Sequence, residues 1–259
     1  MYDDLPFWLY AVITVVLTQV STLSVTVYLH RYLTHGKKEN FKLHPAVVET
    51  FRFTVWLMTG TFPDEWRAIH LWHHDEVETK NDPHSPRHKG LGHVLFGMYF
   101  LYTVAKKERA RIFLKYGTAT PNDWMERNLY RRFTWLGLVL MLPADLLLFG
   151  PMAGSIIWAI QILWMPAVAG IINGACHFQR WWWSYRNYQT KDDSVNVFWA
   201  GWIIGGEGYH NNHHGESGCA KLSRRWFEID PGWGLIRVLE ICGLASGAKR
   251  PIAARSSSP

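Results

Sequence analysis

The stretch FWLYAVITVVLTQVSTLSVTVY, Phe7 to Tyr28, runs 22 positions without a charged side chain. At about 1.5 Å per helical residue it can cross a hydrocarbon core of roughly 30 Å, so it reads as a transmembrane helix. Met1-Tyr2-Asp3-Asp4 lacks the positive n-region of a signal peptide, which disfavours cleavage of this segment. Arg31, Lys37, Lys38 and Lys42 follow the stretch. The positive-inside rule therefore puts its C-terminal end in the cytoplasm and the N-terminus outside.

Two further apolar segments, Phe133 to Phe149 and Pro151 to Ile172, flank the turn signal Gly150-Pro151, with Asp145 near that turn. They read as a transmembrane hairpin. Arg127, Arg131 and Arg132 precede it and Arg180 and Arg186 follow it, so both of its ends are expected in the cytoplasm. Pro143 and Pro166 are compatible with these spans, because neighbouring helices can satisfy the backbone groups that proline frees. Ala46 to Phe62 contains Glu49 and Arg52 and reads as a re-entrant or interfacial helix, while Gly90 to Tyr102 is short and reads as amphipathic or surface-lying. The expected fold is all-α and integral to the membrane: about three transmembrane helices, interfacial helices, and a helical cytoplasmic cap from residues 30–132 and 173–247. Residues 1–247 form one domain in this reading. Residues 248–259, small, basic and Ser/Pro-rich, are expected to be a disordered tail with some affinity for anionic lipid. No repeat of solenoid period is visible.

Composition agrees with a mixed membrane and polar chain. The hydrophobic fraction is 48% and 15 residues are Trp, yet the mean hydropathy is −0.09. The formal charge of +6 suits anionic lipid or an acidic partner, and the apolar segments favour these over nucleic acid. Cys176, Cys219 and Cys242 are far apart and form no CxxC pair, so neither a disulfide framework nor a zinc ribbon is indicated.

The thirteen histidines are the unusual feature. Three clusters stand beside apolar segments on the expected cytoplasmic side: HRYLTH with His30 and His35, HLWHH with His70, His73 and His74, and HNNHH with His210, His213 and His214. Positions i, i+3 and i+4 share one helix face, so His70, His73 and His74 can converge on one point, as can His210, His213 and His214. His30 and His35 would diverge by about 140° on a regular α-helix, so the helix must unwind or bulge if both are ligands. Eight imidazoles exceed what one ion can use, and two metals sharing the set is the simplest arrangement. Ligand type alone admits Fe, Zn, Cu or Ni.

These boxes, in this order around a membrane hairpin, resemble those of the membrane fatty-acid desaturases, above all the bacterial and acyl-CoA Δ9 branch. Asp64-Glu65-Trp66-Arg67, Asp82-Pro83-His84 and Tyr185-Arg186-Asn187-Tyr188 support the likeness, which covers about residues 10 to 240. The resemblance implies two non-haem irons, dioxygen as oxidant, and removal of two hydrogens from an acyl chain carried by CoA, acyl carrier protein or phospholipid. It further implies that Asn173-Gly174-Ala175-Cys176-His177 supplies a ninth histidine ligand, His177, and a water-mediated contact from Asn173. Phe178 to Ser184 is longer and more aromatic than the family pattern, and Gly208-Tyr209 also departs from it, so no substrate contacts are carried over there. No cytochrome b5-like or ferredoxin-like segment is visible, so electrons are expected from a separate protein of one of those kinds. A bacterial inner membrane, with the site facing the cytoplasm, is the expected location.

His84 and Asp82 are expected to support the ligands, His84 donating to a carboxylate such as Asp82. His44, His88 and His93 read as surface histidines. The run Trp181-Trp182-Trp183 reads as an interfacial belt or lid. Two other functions use the same centre, hydroxylation and terminal-alkene-forming decarboxylation. A metal transporter would place its ligands near the bilayer midplane, and these boxes lie at the predicted cytoplasmic ends.

Overall fold

A computed structural model describes residues 6–178 and 181–251, with residues 37 and 38 described by backbone alone. Helix α1, Phe7–Ser24, passes directly into a π-helical segment, Val25–His35, giving one continuous helix, Phe7–His35. There follow strand β1 (Lys42–Leu43) and helices α2 (Pro45–Thr59), α3 (Pro63–Glu76), α4 (Pro86–Lys89), α5 (Leu91–Lys106) and α6 (Arg109–Tyr116). After a π turn at Glu126–Tyr130 come α7 (Leu136–Phe149) and α8 (Pro151–Asn173). A 3-10 turn at Ala175–His177 leads to β2 (Ser184–Tyr185), β3 (Asn196–Val197), α9 (Phe198–Ile203), α10 (His210–Gly215), α11 (Pro231–Ile241) and β4 (Ala245–Ser246).

Local chemistry sets the boundaries. Pro45, Pro63, Pro151 and Pro231 begin their helices, where a missing N–H costs nothing. The His44 side chain accepts from the Ala46 N–H and Asp230 from the Trp233 N–H, so each caps the helix that follows. Gly60, at φ 58°, ends α2 in the left-handed conformation that glycine adopts without strain.

Helix α8 is the axis of the apolar half, with α7, α5 and α1 packed along it and α2 packed on α7. Phe7–His35 and Pro151–His177 are long and apolar enough to cross a membrane. Their outward side chains are apolar and open, including Val16 at 54%, Met152 at 79% and Leu163 at 64% exposure. The hairpin's first arm is shorter than expected. It begins at Leu136 rather than Phe133, because residues 126–135 wind as a π turn and further turns, and at 14 residues it reaches only about 21 Å. The charges that argued against a span in α2 are engaged within the protein: buried Arg52 pairs with Glu49 and Asp123 at 2.6 Å and with Glu126 at 3.2 Å. Helix α5 does not show the polar outer face of a surface-lying helix. Val94, Met98 and Leu101 face inward, and Phe96, Phe100 and Val104 are exposed on the other side.

The polar half closes on two small antiparallel sheets. β1 pairs with β4 (Lys42 with Ser246, Leu43 with Ala245) and β2 with β3 (Ser184 with Val197, Tyr185 with Asn196). Ala248 is buried and the Lys249 carbonyl accepts from the Ala220 N–H, so the start of the expected tail is packed. The rest of that tail, residues 252–259, and Arg180 lie outside the described residues.

Candidate metal centre

The π-helical winding of Val25–His35 brings the first box together. It advances about five residues between bonded positions, and side chains here bond across that interval: the Thr34 hydroxyl donates to the Leu29 carbonyl at 2.6 Å and Arg31 Nε to the Thr26 hydroxyl at 3.2 Å. The rings of His30 and His35 consequently lie 5.1 Å apart, on one side. Unwinding was the condition for both to be ligands, and this segment meets it.

Each HxxHH box is divided between two points rather than gathered at one. On an α-helix, residues i and i+4 lie about 40° apart around the axis, while i+3 lies about 100° from i+4, so the box straddles two directions. Nε2 of His70 lies 3.1 Å from that of His35 and 3.0 Å from that of His74. Nε2 of His213 lies 3.1 Å from that of His30 and 2.8 Å from that of His74. His30, His35, His70 and His213, joined by His74, form the first group. In the second, Nε2 of His177 lies 3.2 Å from that of His73 and 2.8 Å from that of His210, which is 3.2 Å from that of His214. Helix α3 thus gives its i, i+4 pair to the first group and its i+3 residue to the second, and α10 does the reverse. His74 and His214, with ring centroids 4.7 Å apart, are where the groups meet.

Carboxylates stand behind four of the rings. Nδ1 of His30 lies 2.7 Å from Glu207, Nδ1 of His73 3.1 Å from both Asp82 oxygens, Nδ1 of His214 2.9 Å from Asp192, and Nδ1 of His177 3.4 Å from Glu78. An ionised carboxylate can only accept, so the proton in each pair sits on Nδ1 and the Nε2 lone pair points inward. Inward lone pairs about 3 Å apart repel unless a cation lies among them, and that separation suits a polyhedron with metal–nitrogen bonds of about 2.1 Å. The donor set fits a pair of metal ions.

Burial pushes the imidazoles of His70, His73, His74, His210 and His213 well below the usual range, and neighbouring imidazoles push the same way. They stand neutral, as metal ligation requires. Burial would raise the Glu207 carboxyl, but His30 and Arg31 outweigh it and hold it low. The same contest at Asp192 is won by His214.

Some supporting roles differ from expectation. Asp82 serves His73 and accepts the backbone N–H groups of His84 and Glu78, while the His84 ring stands 3.8 Å away. His84 is buried against the His73 ring and lines a cavity instead. Glu207, Glu78 and Asp192 were missed. Glu207 had a signal, a lone acid three residues before the third box in a glycine-rich stretch; Glu78 and Asp192 had none, since folding alone brings them to the rings. Arg31, inside the first box, is an anchor: buried, it donates to the carbonyls of Gly205 and Ala220 and pairs with Asp230. His44, His88 and His93 are exposed, as expected. Trp181 and Trp183 stack on each other, and Trp182 is 90% exposed.

A cavity of about 200 Å³ opens beside the first group. Its rim carries Tyr99, Trp135 and Lys106, its wall includes His70, His84, His210 and Asn173, and Thr22, Val25 and Ile204 line it where the chain is buried. Asn173 therefore lines the same space as the box histidines His30, His70 and His210.

The sequence profile of the family described as fatty acid desaturase matches residues 6–221. The chain is 31% identical to the Delta-9 desaturase-like 4 protein of Arabidopsis thaliana, over 91% of this chain and 75% of that one. It is 30% identical to Delta-9 acyl-lipid desaturase 1 of the same plant, over 92% and 75%. A palmitoyl-monogalactosyldiacylglycerol delta-7 desaturase of the chloroplast is 28% identical over 88% and 59%. A histidine cluster able to bind metal, on a helical chain matched over most of its length, makes this protein a member of the fatty acid desaturase family.

Proposed function

We propose that the chain is a dioxygen-dependent desaturase that introduces a double bond into a fatty acyl chain and holds two irons. His30, His35, His70, His74 and His213 are assigned to one ion, and His73, His177, His210 and His214 to the other. Asn173 is assigned a water-mediated contact. The observation that carries the reading is the convergence of inward Nε2 lone pairs into two groups beside an apolar cavity.

An unactivated methylene has no acidic proton or leaving group, so the bound irons would supply the oxidation that side chains cannot. The protein's share is positioning. The cavity wall holds the acyl carbons against the histidines and keeps water away, while the polar head stays at the rim beside Lys106. The distance from rim to histidines then sets which carbons react. The carboxylates behind His30, His73, His177 and His214 keep the Nδ1 protons of those rings in place, so that their Nε2 lone pairs stay available to a metal. Reducing equivalents come from a separate ferredoxin-like or cytochrome b5-like protein. The arginines and lysines that follow the first apolar stretch and flank the hairpin support a site that faces the cytoplasm; the bacterial inner membrane is proposed only on the likeness to the bacterial branch of the family.

Gas chromatography of lipids from a host expressing the chain tests this. A new mono-unsaturated acyl species, absent with His73→Ala, is the expected result. Hydroxylated acids or terminal alkenes would replace desaturation with one of the related reactions. Metal analysis of protein from iron medium is expected to give about two irons per chain, and a single tightly bound ion would reject the paired assignment.

A further inference from the structure

One surface of the polar half, around α9 and the loop before α11, carries several exposed aromatic and aliphatic side chains. Trp226 is 95% exposed, and the neighbouring Ile229, Ile203, Trp202 and Trp199 are 40–52% exposed. They form one surface: the Trp202 indole donates to the Phe227 carbonyl, and Phe198 packs on both Trp202 and Phe227. Large apolar side chains this open mark a contact with something other than water.

What covers them follows from where they sit. The Gln19 side chain donates to the Ile203 carbonyl at 3.1 Å, which docks the end of α9 on the Phe7–His35 helix beside exposed Val16 and Val20. Gln19 is roughly 18 Å along that helix from Phe7, in the half that leads to the histidines. The aromatic surface therefore continues the apolar flank of a membrane-crossing helix. At its edge Arg225 is exposed, with its guanidinium 5.9 Å from the Phe227 ring and 5.1 Å from that of Tyr185. Indoles backed by arginine suit the headgroup layer, where a ring can bury its body and keep a polar edge wet while the cation meets lipid phosphate.

We propose that α9 and the 226–229 loop form a second membrane foot, inserted into the headgroup region of the leaflet that the histidine-bearing end of the first helix enters. The foot comes from the same stretch as the third histidine box, so lipid contact there would hold α10 at a fixed height above the bilayer.

The test uses the full chain reconstituted in phosphatidylcholine and phosphatidylglycerol vesicles. Trp226→Cys is spin-labelled in a Cys242→Ser background, since Cys176 and Cys219 are buried. Val16→Cys provides a lipid-facing reference and exposed Lys191→Cys an aqueous one. Collision with dissolved oxygen is compared with collision with a water-soluble nickel chelate. The expected result is an oxygen-to-nickel ratio at Trp226 several-fold above that at Lys191 and approaching that at Val16. A ratio equal to that at Lys191 would overturn the proposal. Trp199→Cys, read in the same way, decides the matter if the Trp226 variant fails to assemble.

Discussion

A carboxylate behind an imidazole fixes both the ring's orientation and the nitrogen that carries the proton, so its loss is felt at the other nitrogen. Asp82 is the clearest case, because it receives His73 Nδ1 on both oxygens and also holds the backbone of Glu78 and His84. Asp82→Ala should weaken metal retention by about 10–100-fold, with Asp82→Asn, which keeps one accepting oxygen, losing less. Iron remaining after dialysis against a chelator measures this, and undiminished iron in the Ala variant would show that the His73 ring needs no partner. The neutral imidazoles predict a pH effect in the metal-free protein. In the folded chain burial holds His70, His73, His74, His210 and His213 well below their ordinary values, while unfolded histidines protonate near 6.5. Below that pH the unfolded state binds more protons than the folded one, so stability falls with acid and is unaffected by these groups above it. Melting temperatures of stripped protein should therefore be level from pH 8 to about 7 and decline towards pH 5; a flat profile would contradict the burial of these rings.

At the scale of elements the site depends on helices that approach closely. A Cβ on Gly170 of α8 would stand 2.2 Å from the Leu95 carbonyl oxygen of α5, and backbone cannot move aside as a side chain can. Gly170→Ala should force α5 away from α8 and destabilise the protein by about 1–3 kcal/mol. It should also widen the cavity, whose walls include Met98 on α5 and Ala169 on α8. Thermal unfolding in detergent checks the first effect, and an unchanged melting temperature would mean the helices are not in contact there. How much of this could be read in the sequence follows from range. The histidine spacing exposed the boxes and the need for irregular winding at His30 and His35, because both are properties of a few consecutive residues. The division of each HxxHH box between two points was not legible. It depends on where α3 and α10 face each other, and the same 40° and 100° offsets would serve a single site if one helix were rotated. The apolar outer face of α5 was obscured for a related reason, since a run of 16 residues with apolar side chains on both sides has no clear period. Arg52 discouraged a packed reading of α2 because its partners Asp123 and Glu126 lie more than seventy positions away.

For the whole molecule, the proposed function predicts that the histidines stand at one edge of the bilayer, and that would fix how the chain crosses. The continuous segments Phe7–His35 and Pro151–His177 both end at histidines of the site, so those two ends lie on one side. The chain reaches α8 through α7 and the tight turn at Gly150-Pro151, which places the turn at the far surface. Helix α7 is then the arm that must adapt. Its 14 residues fall about 9 Å short of a 30 Å core, a deficit that local thinning or a contribution from the turns ending at Trp135 can meet. Arg127, Arg131 and Arg132 lie just before that arm and mark its histidine-side end, in agreement with the charge rule. The proposed function thus predicts three crossings, with the Gly150 turn on the outer side and the histidine-bearing half on the inner side. Two cysteines report on this arrangement. Native Cys242 is exposed in the polar half, and Met152→Cys in a Cys242→Ser background places a thiol beside the turn, where Met152 is 79% exposed. In intact cells a membrane-impermeant maleimide should label Met152→Cys fully and Cys242 only after permeabilisation. Labelling of both from the same side would mean that α7 and α8 do not cross as a pair, and the topology would have to be redrawn with the hairpin folded back on the cytoplasmic surface.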